Sequence, residues 1–182
     1  MTQNQGSISI GSSLLEQARE NDPKSIETMF RQFLPDDEKI QYVQYLGLKG
    51  LWGIGTHEFV CLTDRRAADI TVSRFGEVTY QDGYLECINS TVVYQPSKIK
   101  LYLIVGSYCF YSAFALFIPI LFLPFVFQAY YRLVKCGAVL MVQEGIPIYM
   151  FANRKYISRV NTLCRQLTIV REDRMKTIKK MH

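Results

Sequence analysis

The stretch Leu101–Tyr131, LYLIVGSYCFYSAFALFIPILFLPFVFQAYY, lies between Lys100 and Arg132 and holds 31 residues without a charge. A bilayer core of about 30 Å takes roughly 20 helical residues. One helix through the whole stretch would reach about 46 Å at 1.5 Å per residue. That is long for one upright span and short for two. Pro119 and Pro124 each remove a backbone donor from a continuing helix, so a bend is expected near the middle. Lys98 and Lys100 precede the stretch and Arg132 and Lys135 follow it, which by the positive-inside tendency puts both ends in the cytoplasm. Tyr102, Tyr108, Tyr130 and Tyr131 near the ends suit an interfacial aromatic belt. The stretch therefore predicts a membrane hairpin over residues 99–135, dipping in and returning. Its inserted side chains would be Tyr102, Phe110, Phe114, Phe117, Pro119, Phe122, Pro124, Phe125, Phe127 and Tyr130. A single tilted span and a buried pair of helices are the competing readings.

The charge distribution points the same way. Residues 1–98 carry 9 basic and 13 acidic side chains, and residues 99–182 carry 12 and 3, so the net +5 is −4 followed by +9. A basic half beside an apolar segment suits an anionic membrane surface, at roughly 1 kcal/mol per basic residue near it. Five widely spaced cysteines, with no CxxC pair, argue against a disulfide framework or a zinc site and for reduced thiols. Residues 1–13 are polar and lack the basic and apolar regions of a signal peptide, so they read as a disordered N-terminus.

Outward from the apolar stretch, residues 14–37 read as helices. Ser13 and Glu16 have capping-box spacing. Asp22-Pro23 is an N-cap followed by proline at the first helical position. Ile26, Met29, Phe30 and Phe33 recur at helical spacing. Residues 38–98 make the first part of a β domain, with strand texture from Glu58: Phe59–Thr63, Asp69–Val72, Val78–Tyr80 and Tyr84–Gln95, punctuated by Gly76 and Asp82-Gly83. It resumes over residues 136–170, with Ala138–Val142 and Ile146–Phe151 around Glu144-Gly145. A helix from residue 154 follows, carrying the stripe Tyr156, Val160, Leu163, Leu167 and Val170. Residues 171–182 form a basic tail. Two late strands are a marginal sheet alone, so they are expected to join the earlier ones in one domain. That requires both ends of the apolar stretch to emerge on one side.

This order resembles the bacterial pleckstrin-homology-like (PH-like) family. Leu62-Thr63-Asp64-Arg65-Arg66 is similar to the family's strand-and-turn "LTxxR" segment. Tyr84–Ile88 is similar to its "y.dI" strand start. Ile146–Phe151 with Asn153–Leu167 is similar to its last strand and capping helix. The resemblance spans residues 38–98 and 135–170. It implies a bent antiparallel β-barrel or sandwich capped by a C-terminal helix, and a binding module. The fold class expected is thus an α+β membrane protein, a PH-like domain split by a hydrophobic helical hairpin. Gln17–Ile26 also resembles a short helical motif of cyanobacterial proteins.

No catalytic constellation stands out, and the chain is expected to be no enzyme. His57-Glu58 lacks the second histidine of a metal motif, and Gly47, Gly50, Gly53 and Gly55 lack the GxxxxGK[ST] of a phosphate loop. Asp36-Asp37-Glu38 reads as a solvated helix start. Trp52 suits an interface or a core equally. No metal and no cofactor are expected. Arg65-Arg66 is the best short anion contact, because paired guanidiniums grip phosphate or carboxylate bidentately. Lys98, Lys100, Arg132 and Lys135 are further lipid-contact candidates. The function expected is a membrane-anchored scaffold or adaptor, in an inner, plasma or thylakoid membrane with its domain on the cytoplasmic side. It would bind lipid headgroups, copies of itself or a protein partner, with no nucleic acid. An accessory subunit or assembly factor of a larger membrane complex is the alternative. Small residues such as Gly106, Ser107, Ser112, Ala113 and Ala115 would there allow close helix packing.

Overall fold

Asp22 caps the second helix as its sequence implies: its carboxylate accepts from the Ser25 backbone N–H at 2.9 Å, and Pro23 occupies the first turn of α2 (Pro23–Arg31). Helix α1 (Ser12–Arg19) differs. It starts behind Gly11 with no side-chain cap, so the Ser13/Glu16 capping box does not form. Between them Asn21 adopts a left-handed φ of 68°, and its side-chain oxygen accepts from the Tyr45 N–H at 2.9 Å. The computed structural model describes residues 10–51, 54–95, 97–114, 122–133, 136–143 and 145–181.

Among the described residues seven strands follow, in two antiparallel sheets. The first has the order β1 (Ile40–Leu51), β2 (Ile54–Thr63), β3 (Arg66–Ser73), β4 (Val78–Tyr84). The second has the order β5 (Ile88–Tyr94), β6 (Gly137–Val142), β7 (Ile148–Phe151). A 3₁₀ turn at Leu85–Cys87 carries the chain from β4 into β5. Strand β2 explains why Phe59-Val60-Cys61-Leu62 is apolar without alternation. Phe59 and Cys61 pack with Ile26, Met29 and Phe30 of α2, while Val60 and Leu62 pack with Leu140, Met150 and α5. A strand covered on both faces reads as a continuous apolar run.

Helix α5 (Ile157–Met181) closes the inter-sheet core with Val160, Leu163, Leu167 and Val170. Its start is fixed on β1: the Asn153 N–H donates to the Leu46 carbonyl at 3.0 Å, and Arg159 donates to the Tyr45 carbonyl at 2.8 Å. Gly47 sits at this contact with φ 116°; a Cβ there would meet Asn153 Cβ at 2.7 Å and the Tyr156 ring at 2.9 Å.

The segment between β5 and β6 corrects the expected membrane hairpin. Helix α3 (Lys98–Phe114) has 17 residues, about 26 Å at 1.5 Å per residue, and α4 (Leu123–Leu133) has 11. No helix among the described residues is long and apolar enough to cross a membrane. The fold class is therefore α+β with two antiparallel sheets. The expected transmembrane hairpin and the membrane localisation that followed from it are overturned. The described helices α3 and α4 are each shorter than a span, and part of the apolar surface of the run is used within the protein. Leu101 and Tyr130 are buried, the Tyr130 hydroxyl donates to the Ser97 carbonyl at 2.7 Å, and Ser112 donates to the Tyr108 carbonyl at 2.7 Å. Pro124 stands in the first turn of α4, where its missing donor breaks no helical bond.

Of the side chains expected in a bilayer, Tyr102, Phe110, Phe122 and Phe125 are exposed and Phe127 is half-buried. Phe114 ends α3. Phe117 and Pro119 lie outside the described residues, as do Trp52, Gly53, Ala115, Lys135 and Glu144.

Candidate functional site

The expected anion grip, Arg65-Arg66, is occupied by the chain's own carboxylates. Thr63 ends β2 with a hydroxyl that accepts from the Arg65 and Arg66 backbone N–H groups at 3.1 and 2.8 Å and donates to Glu38. This sets the β2–β3 turn. Arg66 then lies 3.0 Å from Glu38 and 2.6 Å from Asp82, with its guanidinium over the Tyr84 ring. Arg65 pairs with Asp37 at 2.8 Å on the surface. Glu38, read from the sequence as solvated, is 1% exposed. The cluster clamps the start of β1 to the β2–β3 turn and to β4.

Lys98 and Lys100 open α3 on its exposed side, far in sequence from Arg65 and Arg66. Arg132 belongs to α4. His57 is a packed residue: its Nδ1 is 2.9 Å from the Tyr45 hydroxyl, and burial lowers its pKa. Among the described residues no group of three or more His, Cys, Asp or Glu side chains could hold a metal ion.

The sequence did not reveal a pair of acids facing the interior. Register pairs Glu58 with Thr71 and Val60 with Asp69 across β2 and β3, which puts both carboxyls on the face of the sheet that carries Val60. Both are almost wholly buried. Burial pushes the Glu58 carboxyl up to about 7. Burial, and then the charge of Glu58, holds Asp69 well above the usual carboxylate range.

A groove of about 400 Å3 opens elsewhere, between β5 and the later turns of α5. Ile88, Leu167 and Met175 make its apolar floor, the first two buried and Met175 38% exposed. Thr91 of β5 and Thr168 of α5 flank it, and Arg171, Lys176, Lys179 and Glu172 make its rim. The groove exists because the buried stripe of α5 stops at Val170, while the helix runs on to Met181. Arg174 ties the overhang to Glu86 of the 3₁₀ turn at 3.7 Å. Apolar periodicity that ends at Val170 was visible in the sequence. The strand opposite the overhang was not, because only the tertiary fold brings β5 there.

No protein-family model and no curated protein matches the chain. Among solved structures it is similar to the hSac2 domain from human phosphoinositide phosphatase Sac2, at 12% identity and a TM-score of 0.43, over 91% of this chain and 85% of that one. The expectation that the chain is no enzyme is not carried forward beside this neighbour, a domain of a phosphatase. At this identity and TM-score the likeness assigns no activity to the chain.

Proposed function

We propose that the chain is a PH-like binding module that acts as an adaptor, taking a protein partner in the groove between β5 and α5. The observation that carries this is the groove itself: an apolar floor of Ile88, Leu167 and Met175 inside a charged rim. Binding sites of this kind pair a desolvated apolar centre with a few polar groups that orient the ligand. Two further features support the PH-like resemblance. The strands form two antiparallel sheets closed by a C-terminal helix, and the Leu62–Arg66 segment makes the end of one strand and the turn into the next.

Selection of peptide ligands against the full chain tests the proposal. Ligands that use the groove should bind Met175→Glu at least about tenfold more weakly, or about 1.4 kcal/mol, because a carboxylate would replace an apolar contact. Thermal unfolding of Met175→Glu should match the parent, since Met175 is outside the core. Ligands that bind Met175→Glu and Arg171→Glu as well as the parent would remove the groove from the proposal.

A further inference from the structure

We infer that the occupant of this groove is an extended, acidic segment of a protein partner, added to the three-stranded sheet along the outer edge of β5. This rests on the groove being the binding surface, and it specifies the ligand's conformation and charge.

The first argument is the state of the edge. Among the described residues β5 pairs with β6 alone, so its other edge carries no strand. Edge strands are ordinarily protected by charged side chains, by proline, by a bulge or by a covering element. Strand β5 reads INSTVVY, with no charge and no proline, and residues 89–94 are all exposed. Its one register irregularity lies at the start, between Ile88 and Ser90. From Thr91 to Tyr94 the pairing with β6 is regular, which leaves a straight template for an added strand. Such strand addition gains main-chain hydrogen bonds, while pockets for alternate side chains supply selectivity.

The second argument is the position of α5. The helix stands beside this strand without closing onto it, and the space between is the groove lined by Ile88, Thr91 and Met175. A strand laid on β5 would turn alternate side chains toward that space. The seven residues of β5 extend about 23 Å at 3.3 Å per residue.

The third argument is charge. The rim contributes Arg171, Lys176 and Lys179 against Glu172. Lys176 also lies 3.6 Å from Asp173, in an exposed pair worth little. A basic rim favours acidic side chains at those alternate positions, through faster encounter and through contact.

The experiment uses two peptide libraries of β5's length, one with Glu and one with Lys at every second position and varied residues between. The Glu library should be enriched on the full chain about tenfold over the Lys library, and the preference should shrink in Arg171→Glu and Lys179→Glu. In isotope-edited spectra the bound peptide should show cross-strand contacts to Thr91–Tyr94. Methylating alternate peptide nitrogens should abolish binding through one edge.

Equal enrichment of the two libraries overturns the acidic assignment. Binding unaffected by N-methylation on either set of alternate residues, or a helical bound peptide, overturns strand addition. In both cases, continued sensitivity to Met175→Glu leaves the groove as the binding surface. Insensitivity to Met175→Glu removes the groove itself. A concentration-dependent dimer that excludes the peptides would show that a second copy of the chain is the occupant and would overturn the inference.

Discussion

Glu58 and Asp69 share one hydroxyl: Thr71 Oγ1 lies 3.0 Å from Glu58 Oε2 and 3.3 Å from Asp69 Oδ2. A threonine hydroxyl has a single proton to donate, and Asp69 Oδ1 is buried without a hydrogen-bond partner among the described residues. Two buried carboxylates this close cannot both ionise cheaply, so the pair retains a proton. Lys49 of β1 is the cation whose charge opposes this, and its ammonium sits 3.4 Å over the Phe151 ring.

A pH dependence of stability follows. Both folded pKa values are raised, Glu58 from 4.5 to about 7 and Asp69 well above 3.8. Above the unfolded values the folded chain therefore binds more protons than the unfolded chain. Stability is full below those values and falls as pH rises through 4.5 toward 7, by about 1.4 kcal/mol per pH unit for each extra proton held. His57 has the opposite sign: its lowered pKa removes stability as pH falls below 6.5. The double variant Glu58→Gln/Asp69→Asn isolates the acidic pair. Urea unfolding between about pH 5 and 8 should give a decline in the parent that is absent from the double variant. Parallel curves would mean that the pair is fully ionised when folded.

The arginine turn separates two kinds of ion pair. Arg66 neutralises the fully buried Glu38, so Arg66→Ala leaves a buried charge uncompensated and should cost about 3–5 kcal/mol. Arg65 meets Asp37 in solvent, so Arg65→Ala should cost about 0–1 kcal/mol. Chemical denaturation of the two variants checks the contrast. Equal losses would place the clamp at Arg65 as much as at Arg66.

Much of this was beyond reach of the sequence, for specific reasons. The apolar run of residues 101–131 reports only that its side chains avoid water; it does not distinguish lipid from other protein, and no helix among the described residues is long and apolar enough to span. Strand β1 was obscured because its alternation is interrupted by register shifts at Ile40/Tyr42 and Tyr45/Gly47, each of which moves side chains to the other face. The partners of Arg66 lie 28 residues before it, at Glu38, and 16 after it, at Asp82, distances over which local patterning carries no information. The stripe of α5 was legible down to Val170 because helical periodicity is local.

At Gly47, β1 and the start of α5 approach closely. Its φ of 116° is unfavourable for a residue with a side chain, and Asn153 and Tyr156 occupy the space a Cβ would need. Gly47→Ala should cost more than the roughly 1–2 kcal/mol of left-handed strain alone, since the α5 start must also shift. Gly76 has a comparable φ of 87° with nothing within 4 Å of a Cβ. Gly76→Ala should therefore show the strain without the clash. Thermal unfolding of the two variants measures the difference, and equal losses would show that the contact at Gly47 is loose.

The two N-terminal helices make a final comparison. Both begin with sequence that suggests a cap, but only Asp22 makes the bond, accepting from both the Ser25 N–H and the Ser25 hydroxyl. Those bonds also lower its pKa. Ser13 lies inside the first turn of α1, whose N-cap is Gly11, so its hydroxyl satisfies no terminal donor. Asp22→Ala should lower the unfolding midpoint, because the Ser25 N–H at the start of α2 loses its acceptor. Ser13→Ala should stay within a few tenths of a kcal/mol, because alanine is the better residue inside a helix. Since Ile26, Met29 and Phe30 cover one face of the four-stranded sheet, loss of the Asp22 cap should also speed amide exchange along α2. Equal losses in the two variants would return α1 to the capping box that its sequence suggests.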